Sequence, residues 1–288
     1  MSPSRADQIF VWLLRSIAAL AGSILVLIVM FLVIESIPAL QHVGLARFFT
    51  DSSWHPAAKA AEGFYNLAPM LSGTMLAMAG AVLLATPLGI LSALFCHYYA
   101  PPMIARQYRR VIELLAGIPS VVYGFWGLVV LVPLLRHIEP SGLSLLAGII
   151  ILTIMILPTV ALMSDAAMAN VPQHYLQGAA ALGLSRWAIL RAVVFPASKA
   201  GLFTGVVLAA GRAIGETMAI LMVCGNIVQT PKNLFEPIRT LTANIALEMA
   251  YALGDHRTAL FFSGVLLMAM IIALVSLAER LAKGKIYG

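Results

Sequence analysis

Apolar residues in this chain gather into six long runs, at about 16–38, 68–98, 111–136, 142–164, 201–225 and 258–280. Ile17 to Ile37 and Gly142 to Leu162 hold about twenty residues with no charge except near their ends, enough for one helix to cross a hydrocarbon core of ~30 Å. The pattern predicts an all-α, polytopic membrane protein with six transmembrane helices. The first run follows Arg5 and Arg15, but it is too long for the apolar core of a secretory signal and lacks a small-residue cleavage site, so it reads as an uncleaved anchor. Pro87, Pro119, Pro133 and Pro158 fall in or near the ends of runs, where neighbouring helices re-satisfy the carbonyls that a proline frees.

Between the runs lie three substantial polar stretches. Two of them, 39–67 and 226–257, fall on one side of the membrane. The first carries Trp54, Phe64 and Tyr65, which fits either an amphipathic segment lying in the interface or a surface that meets an external partner. The third, Asp165 to Ala200, is too polar to span and too helix-prone to be a loose linker. Within it, Ala179 to Leu182 favour helix and Gly183 is a natural stop. Ser185 can cap a second helix, Arg186 to Val194, which Pro196 is expected to bring towards its end. The chain thus divides at 67/68 into an N-terminal span with its external loop, 1–67, and a transmembrane domain, 68–288, with a helical hairpin at about 165–200.

Composition narrows the class. Only 10% of the 288 residues are charged while 61% are apolar, against roughly 25% charged in an ordinary soluble domain. A soluble enzyme, a disordered chain and a disulfide scaffold are excluded. The net charge of +6 is scattered between the apolar runs instead of clustering with aromatics, so it writes topology and not nucleic-acid binding. With the N-terminus inside, eleven of the 18 Lys and Arg residues fall on the cytoplasmic side, six outside, and Arg212 alone stays within a run. Both termini are therefore expected in the cytoplasm. Cys96 and Cys224 read as small core residues.

Arg212 is the residue that topology does not require. It lies about eleven residues into the fifth run, and Glu216 follows four residues later. On a continuous helix advancing about 100° per residue, Gly201, Gly205, Ala209, Arg212, Glu216 and Ala219 would share one face. Small residues let another helix approach closely, which would turn both charges towards a protein interface or a water-filled cavity. Three readings stay open: a structural salt bridge, the lining of an anion path, or a proton relay. An arginine fork matches two oxygens of an oxyanion. A neighbouring glutamate weakens anion binding and can accept a hydrogen bond from a protonated oxyanion.

The hairpin resembles the "EAA" loop of binding-protein-dependent ABC importers. Ala179 precedes Gly183 by four residues and Gly183 precedes Pro196 by thirteen, with Gln177 in place of the usual Glu and Gly178 in place of the first Ala. Gly211-Arg212-Ala213-Ile214-Gly215-Glu216-Thr217-Met218-Ala219 with Gly225-Asn226 resembles the C-type permease family of phosphate-specific ABC importers. So do Leu114-Leu115-Ala116-Gly117-Ile118-Pro119-Ser120-Val121-Val122-Tyr123-Gly124, Ile156-Leu157-Pro158-Thr159, and Thr240-Leu241-Thr242-Ala243 with Glu248-Met249. This resemblance implies a type I ABC importer permease architecture in a bacterial inner membrane, with alternating access as the mechanism. It also implies a second permease subunit of the A type, two cytoplasmic ATPases that hold ATP and Mg, and an external phosphate-binding protein. On the same basis, Gln177, Gly178, Ala179, Gly183, Arg186 and Pro196 couple to the ATPase, and Arg212 and Glu216 line the substrate path.

The chain has no G-x-x-x-x-G-K-[ST], no H-E-x-x-H and no nucleophile with a histidine partner in a span. No cofactor is expected on the chain, and it is not expected to be an enzyme by itself. A secondary anion carrier or channel working without an ATPase is the alternative from a different class.

Overall fold

The computed structural model describes the backbone over residues 5–286 and the side chains of residues 7–280. The side chains of Arg5, Lys283 and Lys285, counted in the charge balance, lie outside the described residues. The helices are α1 (Arg5–His42), α2 (Arg47–Thr50), α3 (Ala68–Tyr99), α4 (Pro102–Ala116), α5 (Ser120–Arg136), α6 (Leu145–Ala169), α7 (Gln173–Ala181), α8 (Arg186–Ile214), α9 (Met218–Val223), α10 (Leu241–Glu248) and α11 (Gly254–Ile286). Among the described residues, five helices (α1, α3, α6, α8 and α11) are long and apolar enough to cross a membrane, and six if the bent pair α4–α5 counts as one span. One two-stranded antiparallel sheet, β1 (Trp54–His55) with β2 (Phe64–Tyr65), pairs Trp54 with Tyr65.

Two expected spans differ from the structure. The run 111–136 is not one helix: α4 and α5 meet at 92°, with the bend between Ala116 and Ser120. The cause is Gly117-Ile118-Pro119. Pro119 has no N–H to give and pushes Ile118 away from helical geometry, and Tyr123 then secures the corner by donating its hydroxyl to the Leu115 carbonyl at 2.7 Å. The run 201–225 likewise divides: α8 starts fifteen residues earlier than expected, at Arg186, and ends at Ile214. Pro196 does not terminate the second hairpin helix. The turn Leu190–Val194 just before it widens to an i→i+5 bond, with the Phe195 N–H donating to the Leu190 carbonyl, and the helix continues through the proline. Widened turns are a known way for a helix to relieve such a clash. Pro133 in α5 is preceded by the same device at Gly127–Leu131.

The chain forms two compact units. One comprises residues up to Asn66 together with Glu248–Leu266, so it is discontinuous in sequence where the division at 67/68 would be continuous. It holds α1, whose apolar side chains are almost all exposed, as befits a helix solvated by lipid. Within the stretch 39–67, this unit contains a folded hairpin. Trp54, Phe48 and Tyr65 are buried, and the Trp54 indole donates to Glu248 Oε2 at 2.9 Å. His256 Nε2 lies 2.9 Å from the same oxygen, so the buried carboxylate has two ring nitrogens within reach. Burial pushes the Tyr65 hydroxyl above its usual pKa range, and its proton is held by the Ala57 carbonyl at 2.9 Å.

The other unit, Leu67–Leu247 with the residues from Leu267 onward, is centred on α6. Ile151, Leu152, Met155 and Ile156 are fully enclosed there. The small-residue stripe on α8 serves this packing: a Cβ on Gly201 or Gly205 would stand 2.6 or 2.8 Å from the Cβ of Ala167 or Met163 on α6. Such contacts permit no side chain at either glycine, and they fix the distance at which α8 crosses α6.

Candidate functional site

Arg212 sits in the last turn of α8. The helix stops two residues later, where Gly215 and Glu216 return their N–H groups to the carbonyls of Gly211 and Ala213, both at 3.3 Å. Gly215, Glu216 and Thr217 form a break, and α9 begins at Met218. Glu216 is therefore not one turn below Arg212 on a continuous helix, as the spacing suggested. Its Oε1 accepts the Ala219 N–H at 3.0 Å and so caps α9. The Arg212 guanidinium turns instead to α6, where Nη1 donates to Thr159 Oγ1 at 3.3 Å. Among the described residues no ion pair links Arg212 to Glu216 or to any other carboxylate.

Each wall of this site is built by a motif residue that sequence reasoning had quoted without assigning it work. Thr159 follows Pro158 in the middle of the α6 core. Tyr123, on α5, is buried in the same apolar cluster as Ala213 and Ile214 at the end of α8. Thr242, on α10, donates its hydroxyl to the Glu216 backbone carbonyl at 2.8 Å, occupying an acceptor that the broken helix leaves free. The α10 N-terminus is fixed in turn: the Leu241 N–H donates to Thr74 Oγ1 on α3 at 3.1 Å, and Thr240 and Thr242 share a hydroxyl bond of 3.1 Å. Gly124 completes the enclosure, since a Cβ there would meet the Ala219 backbone at 2.7 Å, so α5 and α9 are in close contact. Beyond α9, Arg239 donates to the Asn226 carbonyl at 2.9 Å and to Asn244 Oδ1 at 3.0 Å, which secures the loop after Gly225.

The arrangement leaves a cation whose charge is not paid off locally. A guanidinium has five donors, and Thr159 offers it one neutral acceptor. Burying a charge without a counter-charge is costly at any depth in a membrane. Arg212 is only half-buried, so its remaining donors are open to water or to an anion.

At its other end α8 carries the hairpin. α7 ends in a left-handed Gly183 (φ +75°). The Leu184 N–H bonds back to Ala179 at 3.3 Å and the Gly183 N–H to Ala180 at 2.9 Å, which closes the turn at the end of the helix. Ser185 then caps α8 by accepting the Ala188 N–H at 3.3 Å. Gly178, Ala179 and Pro196 line one open groove with Tyr175, Leu182 and Val193. Gln177 and Gly183 are exposed outside that groove, and Arg186 lines a separate hollow with His97, Tyr98 and Leu176. At 1.5 Å per residue, about 39 Å of helix separates Arg186 from Arg212. A signal at one end is thus offered a single rigid element to the other, apart from the widened turn at 190–194.

Membrane-length helices around a polar break define an integral membrane protein with a charged interior, and comparison with known proteins makes the class specific. The chain belongs to the binding-protein-dependent transport system inner membrane component family, whose model matches residues 85–286. It is 40% identical over 241 residues, 82% of this chain and 77% of its relative, to the probable ABC transporter permease protein YqgH of Bacillus subtilis. It is 35% identical to the phosphate transport system permease protein PstC of Mesorhizobium japonicum, covering 95% of this chain and 89% of that one. Its fold is similar to that of a bacterial alginate ABC transporter chain (TM-score 0.65, 15% identity, 94% of both chains) and of the MetNI methionine ABC transporter (TM-score 0.59, 20% identity, 76% of this chain and 94% of that one). The chain is accordingly a multi-pass inner-membrane transport subunit and not an enzyme.

Proposed function

We propose that this chain is the permease subunit through which an ATP-driven importer conducts inorganic phosphate into the cytoplasm. The observation that carries the reading is Arg212: a guanidinium at the end of a broken helix that, among the described residues, meets a neutral hydroxyl and no carboxylate. An oxyanion supplies the charge and the paired acceptors that the site lacks. Glu216, one break away, limits how tightly an anion is held and so favours release. That the oxyanion is phosphate is supported by relatives in several organisms that are phosphate transport system permease proteins, at 32–35% identity over most of the chain.

In this reading a second permease of the A type completes the pathway and two ATPases, carrying ATP and Mg, dock on the hairpin. Exposed Leu182, Leu184 and Trp187 offer them an apolar landing surface, with Gln177, Gly178, Ala179, Gly183, Arg186 and Pro196 as the coupling residues. An external phosphate-binding protein delivers the solute, and both termini face the cytoplasm. Closure of the ATPases moves α7, which rocks α8 and alternately opens the Arg212 cavity to either side. The test is uptake of isotope-labelled phosphate by the reconstituted complex with sulfate and molybdate as competitors. ATP-dependent uptake that excess phosphate suppresses and the other two oxyanions do not is the expected result. Uptake that follows a proton gradient and ignores ATP would instead establish a secondary carrier.

A further inference from the structure

α4 takes no part in the transport scheme above. Three residues, Gly117, Ile118 and Pro119, join it to the crossing helix α5, and the two axes meet at 92°. A helix at right angles to one that crosses the bilayer lies along the membrane surface. At about 100° per residue, α4 divides into three strips. Ala105, Tyr108, Arg109 and Ile112 turn inwards. The Tyr108 hydroxyl shares a 2.8 Å bond with Ser92, and Arg109 grips Asp165 on α6 through Nη2 at 3.0 Å and Nε at 2.9 Å. These bonds fix which strips face outwards. Met103, Ile104, Val111 and Leu114, 52–77% exposed, form a largely apolar strip around the exposed Gln107. Exposed Arg106 and Arg110 border one edge of it, and Glu113 beside them leaves that edge net positive.

We propose that α4 is a membrane-surface helix whose apolar strip enters the acyl-chain region while Arg106 and Arg110 bind anionic phospholipid headgroups, in the leaflet on the hairpin's side. An apolar strip bordered by guanidiniums is the pattern of helices that lie in the interface. The arginine stems run along apolar surface and bring their forks to phosphate depth, where two oxygens can be met at once. The complementary charge argues for an anionic lipid over a neutral one. A water-soluble partner does not fit a strip held within three residues of a membrane span. Because the inner strip holds Asp165, one turn before the end of α6, the helix fastens the base of the hairpin to that leaflet. The inference is independent of which solute the importer carries.

The test uses the complete importer complex in phosphatidylcholine vesicles with and without phosphatidylglycerol. A nitroxide on a Met103→Cys variant reports its surroundings; Cys96 and Cys224 are buried, and labelling of the parent chain gives the background. Strong relaxation by oxygen with little effect of a water-soluble nickel chelate is expected. A nitroxide open to nickel, or shielded from both reagents by a protein partner, would overturn the assignment. Spin-labelled phosphatidylglycerol should associate with the complex several-fold more than spin-labelled phosphatidylcholine, and Arg106→Gln with Arg110→Gln should cut that preference at least about twofold. An unchanged preference in the double variant would overturn the headgroup role.

Discussion

α8 begins at Arg186 in a turn that local chemistry builds and stops at Ile214 in a break that local bonds and distant neighbours hold together. At the first end, Gly183 takes the left-handed conformation and Ser185 caps the helix, all within seven residues. At the second end, Thr159 lies 53 residues from the arginine it meets, and Thr242 lies 26 residues from the carbonyl it fills. The exposed end can be remodelled by a partner without disturbing the core. The enclosed end cannot shift without exchanging hydrogen bonds on α6 and α10 and disturbing the close contact of α9 with α5. A coupling surface and a solute site make those two opposite demands.

Substitutions at each end should separate the two roles, and those that strike the helix between them should have the largest effect. Gly205→Leu forces a side chain against Met163 and is expected to cost about 1–3 kcal/mol or more by overpacking. Loss of assembled complex in gel filtration checks it. Glu216→Ala removes the cap of α9 at about 0.5–2 kcal/mol, whereas Glu216→Gln keeps an oxygen for the Ala219 N–H and should lose much less. Thermal unfolding of the two variants side by side gives the comparison. Gly183→Ala meets no atom within 4 Å, so its cost is the left-handed backbone alone, about 1 kcal/mol. It should loosen the hairpin, seen as faster amide exchange over 173–185, and reduce coupled ATP hydrolysis while leaving the Arg212 site folded. Thr242→Val leaves the Glu216 carbonyl without its donor, a loss of about 0.5–1.5 kcal/mol, and should affect transport more than ATP hydrolysis. Equal effects of the last two variants on both activities would dissolve the distinction between the ends.

How much of this could be read from the chain follows the same division. Gly183, Ser185 and four of the six apolar runs (16–38, 68–98, 142–164 and 258–280) are local signals, and the structure places them where the pattern does. The corner at Gly117-Ile118-Pro119 had a local signal, a glycine shortly before a proline, but an unbroken apolar pattern masked it. The break at Gly215–Thr217 was hidden more deeply. The spacing of Gly201, Gly205, Ala209 and Arg212 continues in phase to Glu216 and Ala219, so periodicity alone extends the helix past its end. What stops it is the side chain of Glu216 accepting the Ala219 N–H, with Thr242 on its carbonyl. Pro196 erred in the opposite direction, because a widened turn lets a helix absorb a proline that propensity treats as a stop. The roles of Thr159, Tyr123 and Thr242 depend on contacts far apart in sequence, and only the fold discloses them.

The central claim is that Arg212 is the anion's partner and not a packing element. Arg212→Gln keeps a donor for Thr159 and removes the charge, so the variant complex should assemble and bind its ATPases as the parent does. In vesicles loaded with ATP and supplied with the binding protein, its phosphate uptake should fall by about a hundredfold, the loss of a charge-assisted interaction of ~2–3 kcal/mol. Uptake at the parent rate by an assembled Arg212→Gln complex would contradict the account.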